Sequence, residues 1–404
     1  MEVQIILTVK IFWRIFLFVF VFVLSVLPAK NVYAEVQASE IINNFAFKAA
    51  GYLIQNSNAD EGENFFFSPF SIISAFGMLY SGASGDTLIE MENALKFDHS
   101  LNKNLGALAE ELNKRKLLLS ANRIWVDEEF KLRNNYQAVL HHYYKSGAQR
   151  VDFKNDPDGA KDIINQWVSD RTNGKIQNLI NDIGQATKMI LTNAVYFNSR
   201  WEKPFNKELT AEKPFNVSSE IKTNVKMMMK HDDFLYGEFD GNKIIKLPYE
   251  NYRTSLIAIL PADNLKSTLE NLTPETFSKM LNSLTNCNVD LWLPKFKVEN
   301  KYELRSMLKS LGVELAFSDE ADFSRITADE DEKIKVDAVI HQTFLEIDEE
   351  KTEAAAATGI IMVGVTAMPE EKRQVEFHAD RPFLYFIIDN STNNVLFAGA
   401  QSFK

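Results

Sequence analysis

Six histidines and one cysteine are the side chains in this 404-residue chain best suited to catalysis or metal binding. The histidines are His99, His141, His142, His231, His341 and His378. None falls in a His-Glu-x-x-His pattern, which would set two metal ligands on one helix face. His141 and His142 are adjacent, so on a helix they point apart. Cys287 lies just ahead of an expected strand, Val289 to Leu293, with nothing nearby to stabilise a thiolate. It reads as an inert, half-buried thiol. Gly82-Ala-Ser84-Gly85 lacks the Gly-x-Ser-x-Gly spacing of a nucleophile elbow and reads as a turn that ends a helix. There is no phosphate-binding glycine loop, and no carboxylate pair is singled out. No catalytic residue, metal or cofactor is expected, so the chain is not read as an enzyme.

Residues 352–368 offer a different kind of chemistry. They read Thr-Glu-Ala-Ala-Ala-Ala-Thr-Gly-Ile-Ile-Met-Val-Gly-Val-Thr-Ala-Met. The acidic run Asp348-Glu349-Glu350 precedes them and the polar segment Pro369 to Gln374 follows. Such flanks mark an exposed connection. Yet Thr352, Ala354, Ala356, Thr358, Ile360 and Met362 would share one face of a strand, and that face is small, then apolar, and uncharged. Glu353 falls on the opposite face. The segment has the composition of an exposed loop that can also become a buried strand.

The elements that would position this loop can be read from periodicity. Ile41, Phe45, Ala49 and Leu53 recur at near-helical spacing. Ser68-Pro69 opens a second helix, with serine as cap and proline in the first turn. Gly82 and Gly85 should end it. A short strand over 120–126, a helix over 135–144 and a helix near 160–171 follow, the last burying Ile164, Trp167 and Val168. Met189 to Phe197 is an almost unbroken apolar run, as expected of a strand covered on both faces. Further strands are expected over 244–247, 255–260, 336–347, 383–388 and 395–400. Helices followed by many strands predict an α+β fold. Val339, His341, Thr343, Leu345 and Ile347 share one strand face, so His341 reads as a buried, hydrogen-bonded histidine.

Residues 1–34 stand apart. Lys10 and Arg14 precede an apolar run from Ile15 to Leu27, and Val32-Tyr33-Ala34 gives a small-residue cleavage pattern. This reads as a secretory signal peptide, since the apolar run falls short of the roughly 20 residues of a spanning helix. The expected location is extracellular, or periplasmic in a bacterium. Residues 35–404 contain no linker, internal repeat or low-complexity run and are read as one domain. Without Glu2, Lys10, Arg14 and Lys30, the mature chain keeps 41 basic and 54 acidic residues, a net charge of −13. That disfavours nucleic acid or an anionic membrane as a partner. With one cysteine, stability must come from the core.

Several stretches resemble one family, the serpins. Asn64-Phe-Phe-Phe-Ser-Pro-Phe-Ser-Ile is similar to the start of the family's second long helix. Leu191-Thr-Asn-Ala-Val-Tyr-Phe-Asn-Ser-Arg-Trp-Glu-Lys-Pro-Phe resembles its central strand and the turn after it. Phe377-His-Ala-Asp-Arg-Pro-Phe-Leu-Tyr-Phe-Ile resembles its C-terminal signature, and Leu247-Pro-Tyr and Leu260-Pro also fit. The matches run in the family's order from about residue 40 to the end.

The resemblance implies a serpin fold: N-terminal helices around a large mixed central sheet, further sheets, and an exposed reactive-centre loop over about residues 349–374. It implies a suicide inhibitor of serine, or of cysteine, proteases, which is a monomer able to polymerise by loop insertion. The hinge would be Lys351, Thr352, Glu353, Ala354, Ala355, Ala356 and Ala357. Lys351 departs from the pattern, since inhibitory members carry glycine there. Ser68, Ser71, Asn193 and His341 match the shutter cluster that holds neighbouring strands of the main sheet together. Counting seventeen residues from Glu349 puts the reactive bond between Val365 and Thr366, with Thr366, Ala367 and Met368 left open as alternatives. Valine there implies elastase-like targets, while trypsin-like enzymes would take Lys372 or Arg373. Lys114-Arg115-Lys116 lies where some members bind polyanions, though it reads as a solvated turn. A serpin-fold carrier or chaperone without inhibition is the alternative function, and a secreted hydrolase a third that lacks any candidate triad.

Overall fold

The computed structural model describes residues 38–56, 64–114, 117–250, 252–328, 333–352 and 372–403. The expected signal peptide, the expected hinge residues Glu353 to Ala357 and the expected reactive bond Val365–Thr366 lie outside them. For Lys351 and Thr352 the backbone is described and the side chains are not.

Helix α1 (38–56) buries Ile42, Phe45, Ala46 and Ala49 along one stripe. After the short strand β1 (Phe65–Phe67), Ser68 caps helix α2 (Pro69–Gly82) by accepting from the Ser71 N–H. All but one residue of α2 is buried, as suits a helix through the middle of the molecule. Gly82 ends it, but Gly85 does not belong to that ending. It opens helix α3 (Gly85–Leu95) at a φ of 50°, a left-handed conformation that glycine tolerates best. Helix α4 (Leu101–Lys114) follows.

Next come β2 (Leu118–Asp127), α5 (Asn134–Tyr144), β3 (Ala148–Val151) and α6 (Pro157–Arg171). Strand β4 (Met189–Phe197) is buried at every position. It is followed by β5 (Ser199–Arg200), β6 (Ala211–Asn216), β7 (Lys222–Phe239), β8 (Asn242–Pro248) and β9 (Thr254–Leu260). Beyond two further helices lie β10 (Thr285–Pro294), β11 (Phe296–Glu303), β12 (Ala338–Ile347) and β13 (Lys351–Thr352). The chain closes with β14 (Gln374–His378), β15 (Phe383–Asp389) and β16 (Asn394–Gln401). Cys287 lies inside β10 and is fully buried rather than half-buried.

Among the described residues, five strands form one sheet in the order β11-β12-β4-β2-β3. A larger sheet runs β1-β16-β15-β9-β8-β7-β10-β14, with β6 also on β7. The five-stranded sheet is mixed. Its central seam, β12 against β4, is parallel from Ala338↔Ile190 to Phe344↔Tyr196, while β11–β12 and β2–β4 are antiparallel. Both faces of β4 are covered. Leu191, Val195 and Phe197 enter the main core, while Ile190 and Ala194 meet Ile164 and Val168 of α6 in a second cluster. Trp167, expected among the buried residues of α6, is half-buried and packs edge-on against Trp125. The almost unbroken apolar run at 189–197 is this two-sided burial written in sequence.

Candidate functional site

The central seam carries a polar row inside an apolar core. Strand register places Asn122 of β2 opposite Asn193 of β4, Asn193 beside His341 of β12, and His341 opposite Tyr302 of β11. The row therefore crosses four strands. On the core side, the cap of α2 meets it. The Ser68 N–H donates to His341 Nε2 at 3.1 Å, so Nε2 is an acceptor and the proton sits on Nδ1. Nδ1 then donates to Asn193 Oδ1. The Asn193 amide donates in turn to the Ser71 carbonyl at 2.9 Å, Ser71 Oγ at 2.6 Å and Asn122 Oδ1 at 2.5 Å. The Ser68 hydroxyl donates to the Leu396 carbonyl at 2.7 Å, which fixes the helix start to the other sheet.

All four expected shutter residues thus meet, and each of them is buried. Burial pushes the His341 pKa down to about 3, so the ring is neutral across the physiological range. A neutral ring can accept from Ser68 and donate to Asn193 at once, which an imidazolium cannot. Asn122, Tyr302 and Thr343 were missed. Thr343 Oγ1 donates to the Phe66 carbonyl at 2.8 Å, and Tyr302 stacks near His341. Only register brings Asn122 and Tyr302 beside residues 71 and 39 positions away.

Above the row, the end of β12 is tied to the segment after β4. The Phe205 N–H donates to the Glu349 carbonyl at 2.7 Å and the Trp201 N–H to the Glu350 carbonyl at 3.3 Å. Trp201 Nε1 donates to the Asp348 carbonyl at 2.8 Å, and its ring stacks on Tyr249 at 4.7 Å. Glu349 is buried and receives Lys295 Nζ at 2.8 Å. Burial pushes its carboxyl up, but the hydrogen bonds it accepts, led by Lys295, outweigh that and hold it below the usual range.

The segment expected to be the hinge begins here. Lys351 pairs antiparallel with Arg200 and Thr352 with Ser199. The backbone has therefore reversed after β12 and already runs against the extension of β4. Elsewhere, Lys114 ends α4 and pairs with Glu111 at 2.9 Å and Glu110 at 3.4 Å. Lys114 thus closes a helix where a turn was expected, while Arg115 and Lys116 lie outside the described residues. No group of three or more potential metal ligands occurs among the described residues.

A family model described as "Serpin (serine protease inhibitor)" matches residues 40–402. The chain belongs to the serpin family. An uncharacterized serpin-like protein of Methanosarcina mazei is 36% identical over 367 residues, covering 88% of this chain and 85% of that one. A leukocyte elastase inhibitor of Bos taurus is 35% identical over 355 residues, covering 84% of this chain and 93% of that one. The crystal structure of maspin superposes with a TM-score of 0.82 at 28% identity, covering 91% of this serpin and 99% of maspin. The serpin fold expected from the sequence is present, α+β with helices and mixed multi-stranded sheets.

Proposed function

We propose that this serpin is a secreted suicide inhibitor of serine proteases, with elastase-like enzymes as its targets. The carrying observation is the hinge pairing. In an antiparallel pair, directly opposed residues point to the same face. Extending Thr352↔Ser199 inward puts Ala354 opposite Phe197, Ala356 opposite Val195, Thr358 opposite Asn193 and Ile360 opposite Leu191. Those β4 positions all face the main core or the polar row. The small, uncharged residues of the loop are thus in phase with the face that would receive them. A strand inserted between β12 and β4 would be antiparallel to both, replacing a parallel joint by two antiparallel ones, which are slightly more stable per residue.

The mechanism is the one that the family implies, and the hinge register is compatible with it. The protease serine attacks the Val365 carbonyl, the amine of Thr366 leaves, and an acyl-enzyme forms. The freed segment from Thr352 to Val365 then enters the seam. At roughly 3.3 Å per residue it carries the acyl bond about 45 Å. The His341–Asn193 contact must part first, and Thr358 then stands between them.

Incubation with pancreatic elastase tests the proposal. A denaturant-resistant covalent band, with a released peptide whose mass begins at Thr366, is expected. Clipping without a covalent band would refute inhibition and favour the carrier alternative, which Lys351 at the pivot supports. A peptide beginning at Arg373 or Gln374 would refute the assigned bond. Secretion is tested by N-terminal sequencing of the exported protein, with Glu35 expected first.

A further inference from the structure

The segment leaving the proposed bait loop carries the two residues that a trypsin-like protease reads, Lys372 and Arg373. Both are engaged. Lys372 Nζ meets Asp233 Oδ2 at 2.5 Å, and Asn288 Nδ2 donates to the same carboxylate at 3.3 Å. The Arg373 guanidinium meets Glu238 Oε1 at 2.9 Å, and the Tyr236 hydroxyl donates to that oxygen at 2.8 Å. The Arg373 carbonyl accepts from the Asn288 N–H at 3.0 Å. From the next residue on, β14 is paired with β10, Gln374↔Asn288 through His378↔Trp292. Three further contacts hold its far end. Lys243 Nζ donates to the Glu376 carbonyl at 3.2 Å, His378 pairs with Asp290 at 3.0 Å, and its ring stacks on Trp292.

A serine protease must take the carbonyl oxygen of the bond it cuts into its own oxyanion hole, and it needs the basic side chain free to enter its pocket. At Arg373 the carbonyl is already occupied by Asn288 and the side chain by Glu238. At Lys372 the side chain is held by Asp233, and the residues after the bond lie in the sheet. Cutting at either bond requires the start of β14 to lift from β10.

We propose that Asp233 and Glu238 are specificity residues. Together with the β10 edge they close the Lys372–Arg373 and Arg373–Gln374 bonds to trypsin-like proteases, so that a dibasic pair at the surface does not serve as bait. The backbone pairing supplies most of the block. Exposed ion pairs contribute little each, and here they set how often the strand end frays open. The inference concerns the same loop as the inhibitory reading but does not depend on trapping.

The test is limited proteolysis of the full chain by trypsin, with mass spectrometry of the C-terminal fragment. A free peptide spanning 366–380 is the reference. Fragments beginning at Arg373 or Gln374 should form at least about a hundredfold more slowly from the protein than from the peptide, since cleavage follows the open population. The double variant Asp233→Asn, Glu238→Gln should release them about fivefold faster than wild type, the factor expected of two exposed pairs. Both carboxylates are surface groups, and circular dichroism checks that the variant folds. Wild-type cleavage within tenfold of the peptide, or a variant cut no faster than wild type, overturns the proposal. Elastase complex formation is measured on the same samples, so a failure of the trap is seen separately from a failure of this lock.

Discussion

Placing one positive charge at either of two neighbouring loop positions tests the insertion register. Thr352 is registered opposite Ser199, which is only 8% exposed, while the next residue, Glu353, would face Asn198, which is exposed. Thr352→Arg therefore asks an unpaired guanidinium to enter the core as the strand forms. Glu353→Arg puts the same side chain into water. Burying an unpaired charge costs several kcal/mol after relaxation. Even about 3 kcal/mol of this, felt in the transition state for insertion, would slow it roughly a hundredfold. Cleavage of the loop should be unaffected, so deacylation would overtake insertion and Thr352→Arg would behave as a substrate. Glu353→Arg should keep the wild-type ratio of covalent complex to cleaved serpin. Both are read from one denaturing gel against elastase. Wild-type complex yield from Thr352→Arg, or equal loss in both variants, would refute the proposed register.

Three further outcomes are expected. His341 is neutral in the fold down to about pH 3 but titrates near 6.5 in the unfolded chain, so between those values the unfolded state holds the extra proton. Its contribution is fully present above pH 6.5 and declines on acidification, by about 2 kcal/mol at pH 5. For about 370 residues this is roughly a 2–3 °C greater fall in melting temperature between pH 7.5 and 5 than in His341→Gln, and parallel curves would contradict it. Glu349→Gln removes the charge opposite Lys295 beneath the hinge, and should lower stability by about 1 kcal/mol, because the lysine is more than a third exposed. Faster polymerisation on gentle heating is the accompanying readout. Lys351 shares a register position with Arg200, and like charges directly opposed weaken a strand pair. Lys351→Gly should therefore raise the yield of covalent complex relative to cleaved chain, and a lower yield would show that the lysine assists the hinge.

Much of this architecture was legible without coordinates. The nearly unbroken apolar run at 189–197 read as a strand buried on both sides, and β4 has those bounds. Ser68-Pro69 carried its own capping chemistry, and α2 starts there. His341 lay on an alternating face, which predicted burial. Local rules failed where one signal serves two elements. Gly85 read as the end of a helix because glycine breaks helices, yet its positive φ lets the chain turn directly into the next one.

What the sequence determined by itself was the set of segments, their periodicity, and a stretch, 352–368, whose even-numbered residues from Thr352 to Met362 are uncharged, small at first and then apolar. These are local properties, fixed by side-chain size and backbone preference within a few residues. Tertiary structure alone decided which strands lie side by side. It set β12 parallel to β4, aligned Asn122, Asn193, His341 and Tyr302 in one row, and brought Glu349 to Lys295. It also turned Lys372 and Arg373 from two exposed basic residues into a fastened strand end. Pairing across tens to hundreds of residues depends on the burial of whole faces and on register. A single-residue slip would exchange the faces of a strand, and no local pattern encodes that choice.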